Sequence, residues 1–400
     1  MKGDVHEFQI TANNTALITI YHNREMDCTS LGLGPSCWIS DSLFQEIDIE
    51  TGRLIFQWHA SDYTRLSDTF KWPSWGDGKT EEKAFDFFHI NSVDKDPLGN
   101  YYISSRFMHA ILCISPSGEI LWHLGGKNNN FTDLSAGEAT NFSWQHHANW
   151  HANNTLSIFD NHGNNVLHPR AEYSRGLKVS LDLSAMTATL LASYVHPDAI
   201  LAISQGSVQI LPDSGNALVG FGNSPVYTEF SPEGDVLCDA HFGPALIFEI
   251  LDIGLVKSYR AYKSHWVGRP KTNPAIKVKD GKAFVSWNGA TEVRSWRLQE
   301  ANEVGGGAEG EEGLEEFVTI HELERNGFET SFELDEISET SVRIAALDGE
   351  GAVIAYTAIV STSTSTSVSS LSLYLPYPPS LPPLLSKTPP NYPHSSLPGK

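Results

Sequence analysis

Residues 142–163 read FSWQHHANWHANNTLSIFDNHG, a stretch that sets four histidines beside a polar turn and a short apolar run. The same order occurs twice more. Asp4-Val5-His6-Glu7 precedes ITANNTALITIYH, and Phe87-Phe88-His89-Ile90 precedes NSVDKDPLGNYYISSR. In each copy a histidine leads through one run to a turn rich in Asn or Gly, then to a run such as ALITIY, YYISS or LSIFD. Asn and Gly accept positive φ and close hairpins, while β-branched and aromatic residues suit the flanking strands. Each copy is therefore expected to be a β-hairpin, with His6, His89 and His146 at equivalent places.

A second hairpin follows in most copies: FQEIDIETGRLIFQW at 44–58, ILCISPSGEILWHL at 111–124, LKVSLDLSAMTATLLASY at 177–194 and YTEFSPEGDVLCDAHF at 227–242. Their turns recur at roughly 50 to 70 residues, a period suited to four-stranded propeller blades with long connections. GSVQILPDSGNALVGFG at 206–222 opens a fourth unit, with serine near the place of the histidines. Residues 276–298 read as a fifth and 332–360 as a degenerate sixth. The expectation is an all-β, six-bladed β-propeller over 1–360, its amino-terminal blade incomplete. Two β-sandwiches are the alternative for a chain of this length, but unrelated sandwiches would not share one pattern of turn chemistry.

Two segments fall outside this pattern. ANEVGGGAEGEEGLEE at 301–316 reads as an acidic, Gly-rich surface loop inserted into the fifth unit. The Ser/Thr/Pro-rich stretch 361–400 is expected to be a disordered tail.

Composition narrows the function. The net charge of −21, with no Lys/Arg-rich run, argues against nucleic acid, which requires a basic patch. No apolar run is long enough for a transmembrane helix. MKGDVHEF holds no apolar core of a signal peptide, and a start so close to His6 leads to the expectation that sequence ahead of it is missing. Cys28 and Cys37 bracket a Gly-rich loop and either close a small disulfide or stay free. Sequons at Asn13, Asn130, Asn141 and Asn153 are compatible with secretion, although the compartment stays open.

The phrases HINSVDKDPLGNYYISSR, ILCISPSGEILWHLGGK, FSWQHHANW and LSIFDNHG, in that order, resemble the arylsulfotransferases of the ASST type, especially the fungal branch. ALVGFGNSPVYTEF, SYRAYKSHWVGRP and VSWNGATEV extend the resemblance to about residue 358. It implies a six-bladed propeller with its active site in the central channel. There a histidine takes the sulfuryl group from an aryl sulfate as a sulfohistidine and passes it to a phenol, with no nucleotide sulfate donor and no cofactor. By motif the nucleophile falls on His146. His89 and Asn91 match the His-x-Asn-Ser phrase, Arg106 the Ser-Ser-Arg phrase, and His6 the histidine of an earlier blade.

The chemistry of these residues fits that implication. A neutral imidazole is a nucleophile and a good leaving group. Sulfuryl transfer spreads negative charge over equatorial oxygens, which Arg106, Asn91 and a protonated His89 or His6 would meet as donors. His89 is the first choice for acid/base work and His6 the second. His147, His151 and His162 are expected at the surface or behind the site, and Asp160 and Asn161 are expected to fix the loop. Two other readings compete. Three converging histidines could hold a metal for a hydrolase, although no metal ligand is assigned here, and a propeller can serve as a binding scaffold without catalysis.

Overall fold

The computed structural model describes residues 2–164, 172–243, 256–302, 316–334 and 340–362. The chain divides into two compact units, Met1–Ser264 and His265–Lys400.

In the first unit every expected hairpin pair becomes one antiparallel four-stranded sheet. The first sheet holds β1 (Lys2–Ile10), β2 (Thr15–Met26), β3 (Cys37–Asp48) and β4 (Leu54–His59); the second holds β5 (Ile90–Lys95), β6 (Tyr101–Ser105), β7 (Ala110–Ile114) and β8 (Ile120–Gly125). A short β9 (Thr132–Asp133) pairs with the last strand of the third, which is β10 (His146–His151), β11 (Thr155–Asp160), β12 (Arg175–Asp182) and β13 (Thr187–Val195). The fourth is β14 (Ser207–Ile210), β15 (Ala217–Gly220), β16 (Val226–Phe230) and β17 (Val236–His241).

The middle strands explain how these sheets associate. Every residue of β6 and β7 is buried, so both faces of the second sheet are covered. Successive side chains of a strand point to opposite faces. Accordingly Tyr101, Ile103, Leu112 and Ile114 pack against Leu17, Ile39, Phe44 and Trp58 of the first sheet. Tyr102, Ile111 and Cys113 pack against Leu156, Ile158 and Val179 of the third. Phe159 and Tyr194 of the third in turn meet Val208, Val219 and Phe230 of the fourth. A core residue such as Leu112 or Ile158, fully buried, makes a truncation to Ala cost about 2–5 kcal/mol.

The first strands of three sheets, β1, β5 and β10, each carry an irregularity, between Gly3 and Phe8, Ile90 and Ser92, and His146 and Asn149. Bulges bend a strand and re-aim side chains. Here they fall on His6, Asn91 and the residues just after His146. Cys28 and Cys37 are disulfide-bonded, with Cα atoms 5.8 Å apart, while Cys113 and Cys238 are free thiols, the first buried and the second exposed.

The second unit departs from the expected repeat boundaries. Residues 276–298 do not form one repeat: β18 (Ala275–Lys279) and β19 (Lys282–Ser286) pair with β22 (Glu329–Glu333), whereas β20 (Ser295–Asn302) lies in another sheet. That sheet runs β21 (Glu316–Glu324), β20, β23 (Ser341–Leu347), β24 (Val353–Tyr356), with β25 (Val360–Ser361) on β23. The break falls at Trp287–Arg294, where Gly289 has φ +83 and turns the chain out of the sheet of β18 and β19 before β20 can pair. Asn302 pairs with Glu316, so the two ends of the acidic segment belong to the last sheet rather than to the fifth unit; its residues 303–315 lie outside the described residues. So does the expected tail beyond Thr362.

Candidate active site

His146 opens β10 and is almost wholly buried. Its Nδ1 lies 2.6 Å from Oδ1 of Asn161. The Asn161 amide nitrogen donates to the carbonyls of Ala202 at 2.6 Å and Gln205 at 2.9 Å, so its oxygen must be the acceptor. His146 therefore carries its hydrogen on Nδ1 and its lone pair on Nε2. That lone pair accepts one long hydrogen bond, 3.3 Å, from the backbone N–H of Gln205. Gln205 sits at φ +65, followed by Gly206 at φ +111. A Cβ at position 206 would collide with the Phe159 ring, so only glycine lets this backbone reach the imidazole. Burial holds the His146 imidazole well below its ordinary range, and the Arg106 cation pushes in the same direction. The ring is neutral at neutral pH.

His89 immediately precedes β5, at φ +55, a conformation rare outside glycine. The surroundings hold it there. Asp86 accepts its backbone N–H at 3.0 Å and its Nδ1–H at 2.6 Å, while its carbonyl accepts the N–H of Arg106 at 3.0 Å. The Tyr21 oxygen lies 3.2 Å from the same Nδ1. Burial pulls the imidazole below its ordinary range although Asp86 opposes it. A protonated His89 is therefore not the resting form; its Nε2 offers a lone pair.

His6 repeats this design in the β1 bulge. Its Nδ1 meets Asp4 at 2.6 Å, and its ring packs edge-on against His89 with centroids 4.8 Å apart. Two Asp–His pairs thus stand in contact.

Arg106 lies in the turn between β6 and β7, its guanidinium 5.3 Å from the ring centres of both Phe107 and Trp144. One terminal nitrogen donates to the Ile203 carbonyl at 3.1 Å, and Nε has no hydrogen-bond partner among the described residues. Burial lowers its pKa to about 10, which leaves it a cation at neutral pH. Asn91, in the β5 bulge, donates to the Gln145 carbonyl at 2.7 Å, next to the His146 backbone, and its buried Oδ1 is without a partner among the described residues. The five sequence candidates are thus brought together in contacts or electrostatic reach: His6 with His89, Asn91 with the main chain at His146, and Arg106, His89 and His6 all acting on the His146 charge.

Other expectations need correction. His147 is not a surface residue: it is buried, at φ +50, and accepts the Val208 N–H at 3.2 Å, with the Tyr262 oxygen 2.9 Å from its Nε2. It lines a separate cavity of about 400 Å³ with Glu7, Arg260 and Tyr262. It sits in the bulge that follows His146, and the two rings meet different partners, Asn161 and Val208. Asp160 does hold the loop, accepting the Ser143 N–H at 3.0 Å. Asn161 does more, because it sets the tautomer of His146.

Residues unassigned from the sequence complete the neighbourhood. Arg260 grips Glu7 with two hydrogen bonds, 2.8 and 3.0 Å, and also donates to the carbonyls of His6 and Asn91 at 3.0 and 3.1 Å. Tyr259 packs 5.9 Å from the His6 ring. Asp4 and Asp86 were readable, as carboxylates two and three positions ahead of a histidine. Nothing local marks Arg260, whose partner Glu7 is 253 residues away.

The chain belongs to the arylsulfotransferase (ASST) family, whose model matches residues 2–243. No curated protein matches it. Among solved structures it is similar to a protein of unknown function from Bacteroides caccae, at 12% identity over 79% of this chain and 89% of that one, with a TM-score of 0.29. It is also similar to the Malassezia sympodialis allergen Mala s 1, at 12% identity over 57% and 60% of the two chains, with a TM-score of 0.30. Neither likeness is close enough to inform fold or function. Among the described residues no helix is long and apolar enough to cross a membrane.

Proposed function

We propose that this protein moves a sulfuryl group from an aryl sulfate to a phenol through a sulfohistidine on His146, without a nucleotide sulfate donor. The observation that carries the reading is the locked tautomer of His146, whose Asn161 contact leaves the Nε2 lone pair as nucleophile. Nε2 attacks sulfur, the N–S bond forms, and the bond from sulfur to the aryl oxygen breaks. The phenolate departs as the anion with the electron pair of that bond. Neutral His89 then takes the proton of the acceptor phenol as its oxygen attacks sulfur, His146 leaves with its electron pair, and the proton passes through solvent to the released phenolate. No net proton is consumed.

Arg106 and Asn91 are the proposed donors to the sulfuryl oxygens, which lowers the barrier where charge develops. The unpartnered Nε of Arg106 supports this role. Attack requires His146 to give up the 3.3 Å bond from Gln205, a weak one at that length. The same N–H would then stand beside the transferred group.

His89 is the proposed base, because its resting form is neutral and its Nδ1–H is anchored on Asp86. His6 supports it. We further read the chain as a member of the fungal branch, on the phrases at 258–270 and 285–293 that lie beyond the matched region. With it comes the family's six-bladed propeller, in keeping with four sheets described in the first unit and two in the second. Secretion rests on the family resemblance and the four sequons, and glycosylation on the sequons alone.

The test is turnover of p-nitrophenyl sulfate. Release of nitrophenolate that depends on added phenol and disappears in His146→Ala supports the reading. Release unchanged in His146→Ala overturns it.

A further inference from the structure

A second group of imidazoles and carboxylates sits where the third sheet meets the fourth. Strand alternation places Asp239 and His241 on one face of β17, and His196 follows the end of β13. His196 is buried, with its side chain only 1% exposed, and its ring packs edge-on against His241 with centroids 5.5 Å apart. None of these groups hydrogen-bonds to the residues around His146.

Asp239 organises the cluster. Its Oδ1 lies 3.1 Å from His196 Nε2 and its Oδ2 lies 3.0 Å from His241 Nε2. Thr228, its cross-strand neighbour, donates to Oδ1 at 2.8 Å. An ionised carboxylate only accepts, so both Nε2 atoms carry hydrogen and each neutral ring keeps its lone pair on Nδ1. The Asp198 N–H donates to Nδ1 of His196 at 3.0 Å, as this tautomer requires. The Asp198 carboxylate stands 4.0 Å from the same nitrogen. Ligand atoms of His196, Asp198 and His241 all lie within 4.8 Å of one another.

We propose that His196, Asp198 and His241 bind one divalent transition-metal ion of the zinc type, with Asp239 orienting the two imidazoles from behind. A metal-bound histidine commonly gives its other N–H to a carboxylate, the arrangement Asp239 already makes with both rings. Two imidazoles select zinc, nickel or copper over magnesium or calcium. Bonds of about 2.1 Å in a tetrahedral shell set ligand atoms about 3.4 Å apart, so the set must close by roughly an ångström. His196 is the fixed member. Asp198 is 71% exposed and His241 33%, and these two are free to move in. The ion displaces the Asp198 N–H from His196, and water fills the fourth position. It ties the segment after the third sheet to the last strand of the fourth, independently of sulfuryl transfer.

Calorimetric titration of zinc into the untagged, metal-free full chain tests this. One ion should bind, and His241→Ala and Asp198→Ala should each weaken it at least tenfold, with melting curves of the metal-free variants confirming that they fold. Asp239→Asn should weaken it as well, because two orienting acceptors are lost. Cys238, an exposed thiol one residue from Asp239 but on the opposite strand face, supplies the control. Cys238→Ser should bind as the parent does. The proposal is overturned by absence of stoichiometric binding to the parent chain, by unchanged affinity in both His241→Ala and Asp198→Ala, or by loss of the ion in Cys238→Ser.

Discussion

Asn161 accepts the Nδ1–H of His146 at 2.6 Å while its own amide is held by two backbone carbonyls. The orientation of the nucleophile is therefore decided by a neutral side chain. Asn161→Ala should lower kcat on the order of 10²-fold with little change in KM, because a wrong tautomer costs catalysis rather than binding. Leaving buried partners unsatisfied should also cost about 1–3 kcal/mol of stability. Asn161→Asp keeps an acceptor but adds charge. It stabilises the imidazolium, so the acid limb of the kcat profile should move to higher pH. A limb that stays in place, with kcat unchanged in both variants, would show that Asn161 only holds the loop.

Intact mass after incubation with an aryl sulfate in the absence of phenol reports the intermediate directly. The chain should gain one sulfuryl group, mapped to His146 by fragmentation, and lose it when phenol is added. Gain at His89 or His6 instead would move the nucleophile.

Burial depresses the imidazoles of His146, His147 and His89 below the ordinary histidine range. The unfolded chain binds these protons near pH 6.5 and the folded chain only at lower pH. Stability is thus full above the unfolded value and falls as pH drops toward the folded values. Each such histidine contributes a slope of up to about 1.4 kcal/mol per pH unit in that window. Urea unfolding at intervals from pH 7.5 to 5 should show the decline, and His147→Asn should reduce the slope. An unchanged slope in that variant would exclude His147 from it.

Glu7 and Arg260 form a buried pair, their side chains 7% and 9% exposed. Removing one partner leaves the other charge uncompensated. Glu7→Gln should destabilise the protein by about 3–5 kcal/mol, and Glu7→Gln with Arg260→Met by less than either change alone. Additive losses in thermal or urea unfolding would mean that the two residues are not coupled.

Much of the first unit was legible because its turns repeat: Asn13-Asn14, Leu98-Gly99 and Asn153-Asn154 close the expected hairpins, and period-two strands follow. Legibility failed where pairing is non-local. Nothing in IKVKDGKAFVSWNGATEVRSWRL says that its two ends belong to different sheets, because the partners of β19 and β20 lie tens of residues downstream. The site divides in the same way. Asp4 and Asp86 stand beside their histidines in the chain, whereas Asn161 reaches His146 only after β10 and β11 fold back on each other. The buried state of His147 was hidden for a further reason: the bulge after His146 breaks the strand's alternation, so a period-two count does not place its side chain.

The clasp of Arg260 on Glu7 also bears on where this molecule can be cut. The region that matches the family ends at residue 243, yet the cation that neutralises Glu7, and that holds the carbonyls of His6 and Asn91, lies seventeen positions further on. Shared ancestry and mechanical self-sufficiency therefore have different borders here. An excised piece bounded by the former would carry a stranded carboxylate at the root of its first strand, and a fragment meant to stand alone should run through Tyr262.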